Sequence, residues 1–265
     1  MKKILNNVFL VIAFLFLYAP IFVMIVFSFN ESKSRANFTN FTFKWYKELF
    51  QNDLIINSFF NTLFVAVIAS IVATLIGTIA AVGISGMKKR SRGIVMNMTY
   101  IPVINPEIVT GISLMMFLMF IGGVIGVELG FWSVLISHIT FCMPYVVLNV
   151  LPKLRQVDAS VYEAAVDLGC SPFKAFFKAV LPEIMPGIFS GFLMAFTFSL
   201  DDFVITYFTS GSSYQTLPVT IYAMTRKKVS PEINALSTIM FLIVLALLLI
   251  MNIHGSKASK KEKYE

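Results

Sequence analysis

The stretch YEAAVDLGCSPFKAFFKAVLPEIMPG, residues 162–187, is a polar interruption in a chain that is otherwise strongly apolar. It carries three acids, two lysines and three prolines. Apolar segments long enough to cross a membrane lie close to both of its ends. The fold therefore has to accommodate a polar segment between two membrane spans.

The composition of the chain is that of a membrane protein, with 57% hydrophobic and 13% charged residues among 265. A helix needs about 20 residues, at about 1.5 Å each, to cross the hydrocarbon layer. We predict an all-α membrane protein with one transmembrane domain over residues 1–265. Its six predicted transmembrane helices cover about residues 8–29, 57–82, 94–121, 129–151, 187–208 and 235–253.

The first apolar segment has an alternative interpretation as a cleaved signal peptide, since Lys2 and Lys3 precede it. We favour a span, because the segment is longer than a signal core of about 7–15 residues and no A-x-A-like site follows it closely. Cys142, in the fourth span, and Cys170, in the polar segment, are predicted to be free thiols.

The basic residues predict the orientation of the spans. With both termini in the cytoplasm, fourteen of the 21 lysines and arginines lie inside and seven lie outside, including the run at 226–228. The predicted location is a bacterial inner or plasma membrane, crossed several times. Because the basic residues flank lipid-embedded spans and form no single stripe, we expect no nucleic-acid partner.

The cytoplasmic loop at residues 152–186 is predicted to begin with a short helix. Ser160 and Glu163 fit the S-x-x-E capping box, and Gly169 is placed to end the helix in the left-handed conformation. The spacing puts one small apolar face on this helix, made of Val161, Ala164, Ala165 and Leu168.

A second short helix is predicted to follow. Ser171 and Pro172 suit the N-cap and first helical positions, and Pro182 and Pro186 are predicted to stop the helix. The apolar side that we expect to pack on the membrane domain is Phe173, Phe176, Phe177 and Val180. The pattern alone leaves two interpretations open, a docking element or an ordinary amphipathic loop.

The residues of this hairpin resemble a motif of the membrane subunits of bacterial ABC importers, EAA-x3-G-x9-I-x-LP. The matching positions here are Glu163, Ala164, Ala165, Gly169, Leu181 and Pro182. Ala179 departs from the motif, because the family has Ile there. The resemblance implies a type I (MetI-like) permease fold in which the hairpin is a cytoplasmic coupling helix seated on an ATPase.

No segment fits G-x-x-x-x-G-K-[ST], so the chain lacks the cradle that holds ATP phosphates. No nucleophile, base and acid arrangement and no metal-ligand spacing occurs either. We therefore expect no enzyme activity, no metal and no cofactor in this chain. ATP and Mg²⁺ would be bound by a partner ATPase.

Carboxylates in two spans are the candidate substrate pathway. Asp201 and Asp202 lie in the fifth span, and Glu107 follows the helix-breaking Pro102 and Pro106 in the third. A charged Asp near the centre of a span costs on the order of 2.5–3.5 kcal/mol, so such residues usually face a cavity or a partner. Adjacent residues point about 100° apart on a helix, so one aspartate of the pair is expected to be structural.

Phe203 and Tyr207 could add cation–π contacts to this pathway, although aromatics four residues apart more often pack together. The alternative for the aspartates is a shallow, solvated end of the span. His138 is interpreted as a packed or hydrogen-bonded helix residue.

A narrower resemblance covers nearly the whole chain. SLDDFV in the fifth span, and LPVTIYAM and VSPEINAL in the last outer loop, resemble the permeases of spermidine/putrescine importers. The resemblance implies a second permease subunit, two copies of an ATPase and an extracytoplasmic polyamine-binding protein, all meeting at a lipid membrane. Competing hypotheses are an ATP-independent channel or secondary carrier, a membrane anchor or sensor, and an ABC permease for another solute.

Overall fold

The computed structural model describes residues 2–32, 37–126, 128–227, 231–243 and 245–246. Across these residues the chain is helical, and extended pairing is limited to a single bridge between Asn30 and Phe41. The helices are α1 Lys2–Ser28, α2 Lys44–Phe50, α3 Asp53–Ser85, α4 Lys89–Ile104, α5 Glu107–Ile125, α6 Phe131–Leu154, α7 Ala159–Asp167, α8 Pro172–Ala175, a π-helical segment Phe176–Val180, α9 Leu181–Asp201, α10 Val204–Thr209, α11 Leu217–Lys227 and α12 Pro231–Ile243.

Five helices in the described part of the chain are long and apolar enough to cross a membrane. They are Asn6–Ser28, Asp53–Ser85, Glu107–Ile125, Phe131–Leu154 and Pro172–Asp201. The sixth predicted span, residues 235–253, begins within α12, and most of its second half lies outside the described residues.

The chain divides into two compact units, residues 1–56 with 221–265 and residues 57–220. In the first unit, the buried Asn30 organises the turn after α1. Its side-chain oxygen accepts the Thr39 amide at 2.9 Å, and its backbone carbonyl accepts the Trp45 indole N–H at 2.6 Å. These bonds tie α2 to the end of α1.

The core of the second unit forms around α6, whose inward face packs against α9. Two glycines on α9 make the close approach possible. A Cβ added at Gly187 would lie 2.7 Å from Lys153 Cγ, and one added at Gly191 would lie 3.2 Å from Val146 Cα. The G-x-x-x-G spacing at the start of the fifth span is therefore a helix-packing motif.

The segment predicted as the third span, residues 94–121, is two helices. Asn105 has an extended backbone (φ −69°, ψ 138°), as expected for a residue before a proline, and α5 begins directly after Pro106. The prediction that both prolines break the helix was wrong for Pro102, which lies inside α4. The break places Glu107 in the first turn of α5.

The first helix of the hairpin, α7, begins earlier than predicted. Its N-cap is Asp158, whose Oδ1 accepts the Ser160 amide at 3.0 Å. Hydrogen bonds from Ser160 hold the pKa of the Asp158 carboxyl below its usual range. The predicted capping box of Ser160 and Glu163 was therefore wrong, because the better-placed Asp158 carboxylate satisfies the first turn.

The end of α7 follows the prediction. Gly169 has φ +88°, the left-handed conformation in which any other residue is strained. Its amide bonds the Val166 carbonyl at 2.9 Å, and the Cys170 amide bonds the Ala165 carbonyl at 3.1 Å. This pair of bonds is a Schellman motif, and it turns the chain sharply into α8.

The prediction that Pro182 and Pro186 stop the second hairpin helix was wrong. Ser171 and Pro172 do occupy the N-cap and first positions of α8, but the helix runs on through the π-helical segment into α9. In this segment the Leu181 amide bonds the Phe176 carbonyl, five residues back. The wider turn lets the chain pass Pro182, which has no amide hydrogen to donate.

Candidate functional site

The carboxylates predicted from the sequence meet in one pocket of about 220 Å³. It lies where two helices are interrupted, between α4 and α5 and between α9 and α10. Its lining residues are Glu107, Phe141, Phe198, Asp201, Asp202, Phe203 and Val204. Interrupted helices at membrane depth are tolerated where the irregular backbone is buried in protein or lines a cavity, and both breaks fit that rule.

Glu107 reaches the pocket because α5 packs tightly on α10. The contact is made at Gly111, where an added Cβ would lie 3.0 Å from Phe208 Cδ2 and 3.4 Å from Ile205 Cα. Glu107 itself is exposed on the first turn of α5. A carboxylate at a helix N-terminus is favoured by the helix dipole, which partly offsets the cost of placing it in a span.

Asp201 and Asp202 have different surroundings, as predicted, but the reason is not the angle between adjacent helical residues, because α9 ends at Asp201 and Asp202 is extended. Asp201 is the last residue of α9 and its side chain is exposed. The Asp202 side chain is 4% exposed, and its oxygens accept the Ile205 amide at 3.2 Å and the Thr206 amide at 2.8 Å. Asp202 therefore satisfies the first turn of α10, whereas Asp201 faces the pocket.

The break between α9 and α10 was not predicted, because no proline or glycine marks it. Asp202 is extended (φ −62°, ψ 122°), and its side chain takes the place of backbone acceptors for the next helix. Asp202 lies two residues before Val204, the first residue of α10, where a short acidic side chain can accept the first amides of a helix. The surrounding apolar run hides this signal in the sequence.

His138 on α6 contacts residues on both sides of this break. Its Nε2 lies 2.8 Å from Thr206 Oγ1 and 3.4 Å from Asp202 Oδ2, and its Nδ1 lies 2.7 Å from Ser199 Oγ. The prediction of a hydrogen-bonded helix residue is confirmed. Its contact with Asp202 was not predicted, because the two residues lie far apart in the sequence and no local pattern connects them.

The two predicted aromatic residues differ in position. Phe203 lines the pocket, and the Tyr207 ring packs against the Phe203 ring with centroids 5.4 Å apart. The structure thus favours packing for Tyr207, while Phe203, Phe141 and Phe198 offer rings to the cavity. Aromatic faces attract cations within about 6 Å of the ring centroid.

The predicted coupling residues do not all lie together on the hairpin. On α7, Glu163 and Ala164 are exposed and Ala165 is partly buried, and Leu168, directly after the helix, is 86% exposed. By contrast, Leu181 and Pro182 begin α9, with Leu181 packed against the core. The predicted apolar side of α8 and the π-helical segment divides likewise. Phe176 and Val180 pack inward, whereas the prediction was wrong for Phe173 and Phe177, which are exposed.

Sequence comparison identifies the family. Residues 73–255 match the family described as the binding-protein-dependent transport system inner membrane component. The chain belongs to this family. It is therefore a multi-pass inner-membrane permease component of an ABC importer, and a transport component rather than an enzyme.

Two relatives are named as permease proteins of polyamine transport systems. The chain is 41% identical to the spermidine/putrescine transport system permease protein PotC of Escherichia coli K12, over 94% of this chain and 92% of that protein. It is 40% identical to the putrescine transport system permease protein PotI of the same organism, over 88% of this chain and 84% of that protein.

Solved structures agree on the fold. A chain of a bacterial ABC transporter involved in import of the acidic polysaccharide alginate superposes with a TM-score of 0.70 at 18% identity, covering 94% of this chain and 93% of that one. A chain of an amino acid ABC transporter gives 0.53 at 18% identity, covering 77% and 96%. The predicted all-α fold of ABC importer permeases is confirmed.

Proposed function

We propose that this chain is the permease subunit through which an ATP-driven importer moves polyamines, of the spermidine and putrescine class, by alternating access. The observation that carries the proposal is the pocket that joins Glu107 and Asp201 at two helix breaks. The relatives of this chain, PotC and PotI, are named for spermidine and putrescine transport and support the same substrate class.

The chemistry of the pocket suits an organic polycation. Polyamines carry ammonium groups separated by alkyl chains. Carboxylates accept charge-assisted hydrogen bonds from ammonium groups, and the rings of Phe141, Phe198 and Phe203 can contact both the cations and the methylenes. We assign ligand contact to Glu107, Asp201 and Phe203, with Tyr207 supporting Phe203.

The energy source in this proposal is a pair of ATPase subunits that bind ATP and Mg²⁺ on the cytoplasmic side. The hairpin supports it, because α7 and the residue after it expose Glu163, Ala164 and Leu168 on a helix that is capped at both ends. The basic-residue count supports cytoplasmic termini and a cytoplasmic hairpin. A second permease subunit would complete the pathway, and an extracytoplasmic binding protein would deliver the polyamine.

The test is uptake by the complete transporter reconstituted in vesicles, with the binding protein outside. We expect radiolabelled spermidine or putrescine to accumulate only when ATP and Mg²⁺ are present on the ATPase side. Uptake that proceeds without ATP would favour a channel or secondary carrier, and ATP-driven transport of other solutes but not polyamines would refute the substrate class.

A further inference from the structure

We infer that His138 is a positioning residue for transport: it locks the break between α9 and α10, and so fixes Asp201 as the carboxylate that the pocket presents to a cation. The inference rests on the proposed function for its cargo. Its physical basis is a buried network that links α6, α9 and α10.

One imidazole ring holds both sides of the break. His138 is 2% exposed and lies on α6. Nδ1 is 2.7 Å from Ser199 Oγ near the end of α9, and Nε2 is 2.8 Å from Thr206 Oγ1 in α10. Because the two helices are joined only by Asp202 and Phe203, a bridging ring restricts how far they can swing apart.

The direction of the hydrogen bonds locates one proton. The Thr206 hydroxyl donates to Asp202 Oδ2 at 2.8 Å, so its oxygen accepts from His138 Nε2. Nε2 therefore carries a hydrogen that points toward Thr206 and Asp202. The His138 Nε2–H thus donates to the Thr206 hydroxyl, and the Thr206 hydroxyl donates to the Asp202 carboxylate.

This network occupies most of the acceptor positions of Asp202. Its two oxygens receive the Ile205 amide, the Thr206 amide and the Thr206 hydroxyl, and Nε2 of His138 stands 3.4 Å from Oδ2. A buried carboxylate satisfied in this way is stable only while its partners stay in place. Asp202 is thus committed to the helix break, and the adjacent Asp201 remains exposed on the wall of the pocket.

The first arm of the test measures transport. His138→Leu removes both bridges, whereas His138→Gln keeps an N–H donor at the reach of Nε2. We expect His138→Leu to raise the KM for spermidine uptake about tenfold, as a loss of about 1.4 kcal/mol in one contact would. We expect His138→Gln to recover most of that loss. In an Asp201→Asn background, His138→Leu should change KM less than about twofold, since the carboxylate that it positions is already gone.

The second arm needs no substrate. In a chain carrying Cys170→Ser and Asp201→Cys, the remaining native Cys142 is buried. The new thiol should react readily with a small cationic thiosulfonate reagent. We expect His138→Leu to change this labelling rate at least threefold, and His138→Gln to leave it close to that of the parent.

The two arms separate the possible failures. Equal labelling rates in all three chains, or a His138→Leu effect on KM that is as large without Asp201 as with it, would overturn the positioning role. If polyamine uptake is absent but labelling responds to His138→Leu, the substrate proposal falls and the positioning role stands.

Discussion

At the scale of single residues, adjacent acids in one span have different tasks because their environments differ. Asp202 is buried and hydrogen-bonded to the first turn of α10, whereas Asp201 is exposed beside Glu107 in the pocket. A buried carboxylate that loses its partners is costly, while an exposed one in a cavity can exchange water for a bound cation. The two aspartates should therefore respond differently to the same conservative substitution.

We expect Asp201→Asn to reduce polyamine uptake about tenfold while the assembled transporter keeps its thermal stability, because only a ligand contact is lost. We expect Asp202→Asn to lower the melting temperature, because its new NH₂ group cannot accept the Thr206 amide and leaves a buried donor unpaired, at a cost of about 1–3 kcal/mol. Uptake kinetics and thermal unfolding of the purified complex measure the two effects. Equal loss of stability in both variants would contradict this division.

The sequence could predict part of this site. An acid pair in a span led to the prediction that one aspartate is structural, and Asp202 has that role, but at a helix break and not through the angle between adjacent helical residues. The pattern does not indicate which one, because the apolar run around Asp202 hides its role at the start of α10. The contribution of His138 is not predictable either, since it reaches Asp202 only through the packing of α6 on α9 and α10. Contacts between distant segments leave no local pattern to read.

At the scale of helices, small residues set how closely the elements of the core approach. Gly191 stands against Val146, whose Cα and Cγ1 would each lie 3.2 Å from an added Cβ, so α9 rests closely on α6. Because α9 also carries Asp201 and α6 carries His138, this contact sets the distance between the two halves of the site.

We expect Gly191→Ala to destabilise the protein, because the added Cβ would lie 3.2 Å from Val146 Cα and the helices would have to separate. Gly83→Ala in α3 is the matched control, since its Cβ would meet nothing within 4 Å. Replacing a helical Gly by Ala is otherwise favourable by about 0.5–1 kcal/mol. Thermal unfolding should therefore move in opposite directions for the two variants, and a stabilising Gly191→Ala would refute the close-packing role.

The hairpin offers a second test at this scale. Gly169→Ala places a Cβ in the left-handed conformation, which costs about 1–2 kcal/mol and distorts the turn between α7 and α8. We expect weaker co-purification of the ATPase with normal insertion in the membrane. Gly93→Ala, in α4 with open space around its Cβ, serves as the control. Unchanged recovery of the ATPase with Gly169→Ala would count against the coupling role of the hairpin.

Local signals explain which parts of the hairpin could be predicted. A glycine that needs a positive φ and a serine–proline helix start act within a few residues, and Gly169 and Pro172 are found as expected. The passage through Pro182 was not predictable in the same way. It depends on a π-helical turn, which packing against the core supports at Phe176 and Val180.

At the scale of the whole molecule, the proposal requires the hairpin and the carboxylate pocket to serve different partners. Their connection is continuous, because α8, the π-helical segment and α9 form one apolar helix from Pro172 to Asp201. A displacement of the hairpin would thus be carried along a single element to the break at Asp202. The orientation of the chain decides whether the hairpin can reach a cytoplasmic ATPase.

That orientation can be measured with the native cysteines. Cys170 in the hairpin is partly exposed, and Cys142 is buried. With the second permease present and the ATPase absent, we expect a membrane-impermeant thiol reagent to label Cys170 in inverted vesicles and not in intact cells. A chain with Cys170→Ser and Glu128→Cys, in the exposed turn between α5 and α6, should show the opposite pattern. Labelling of Cys170 from the outside would place the hairpin away from any cytoplasmic ATPase and would refute the coupling mechanism. It would also contradict the orientation that the excess of basic residues predicts.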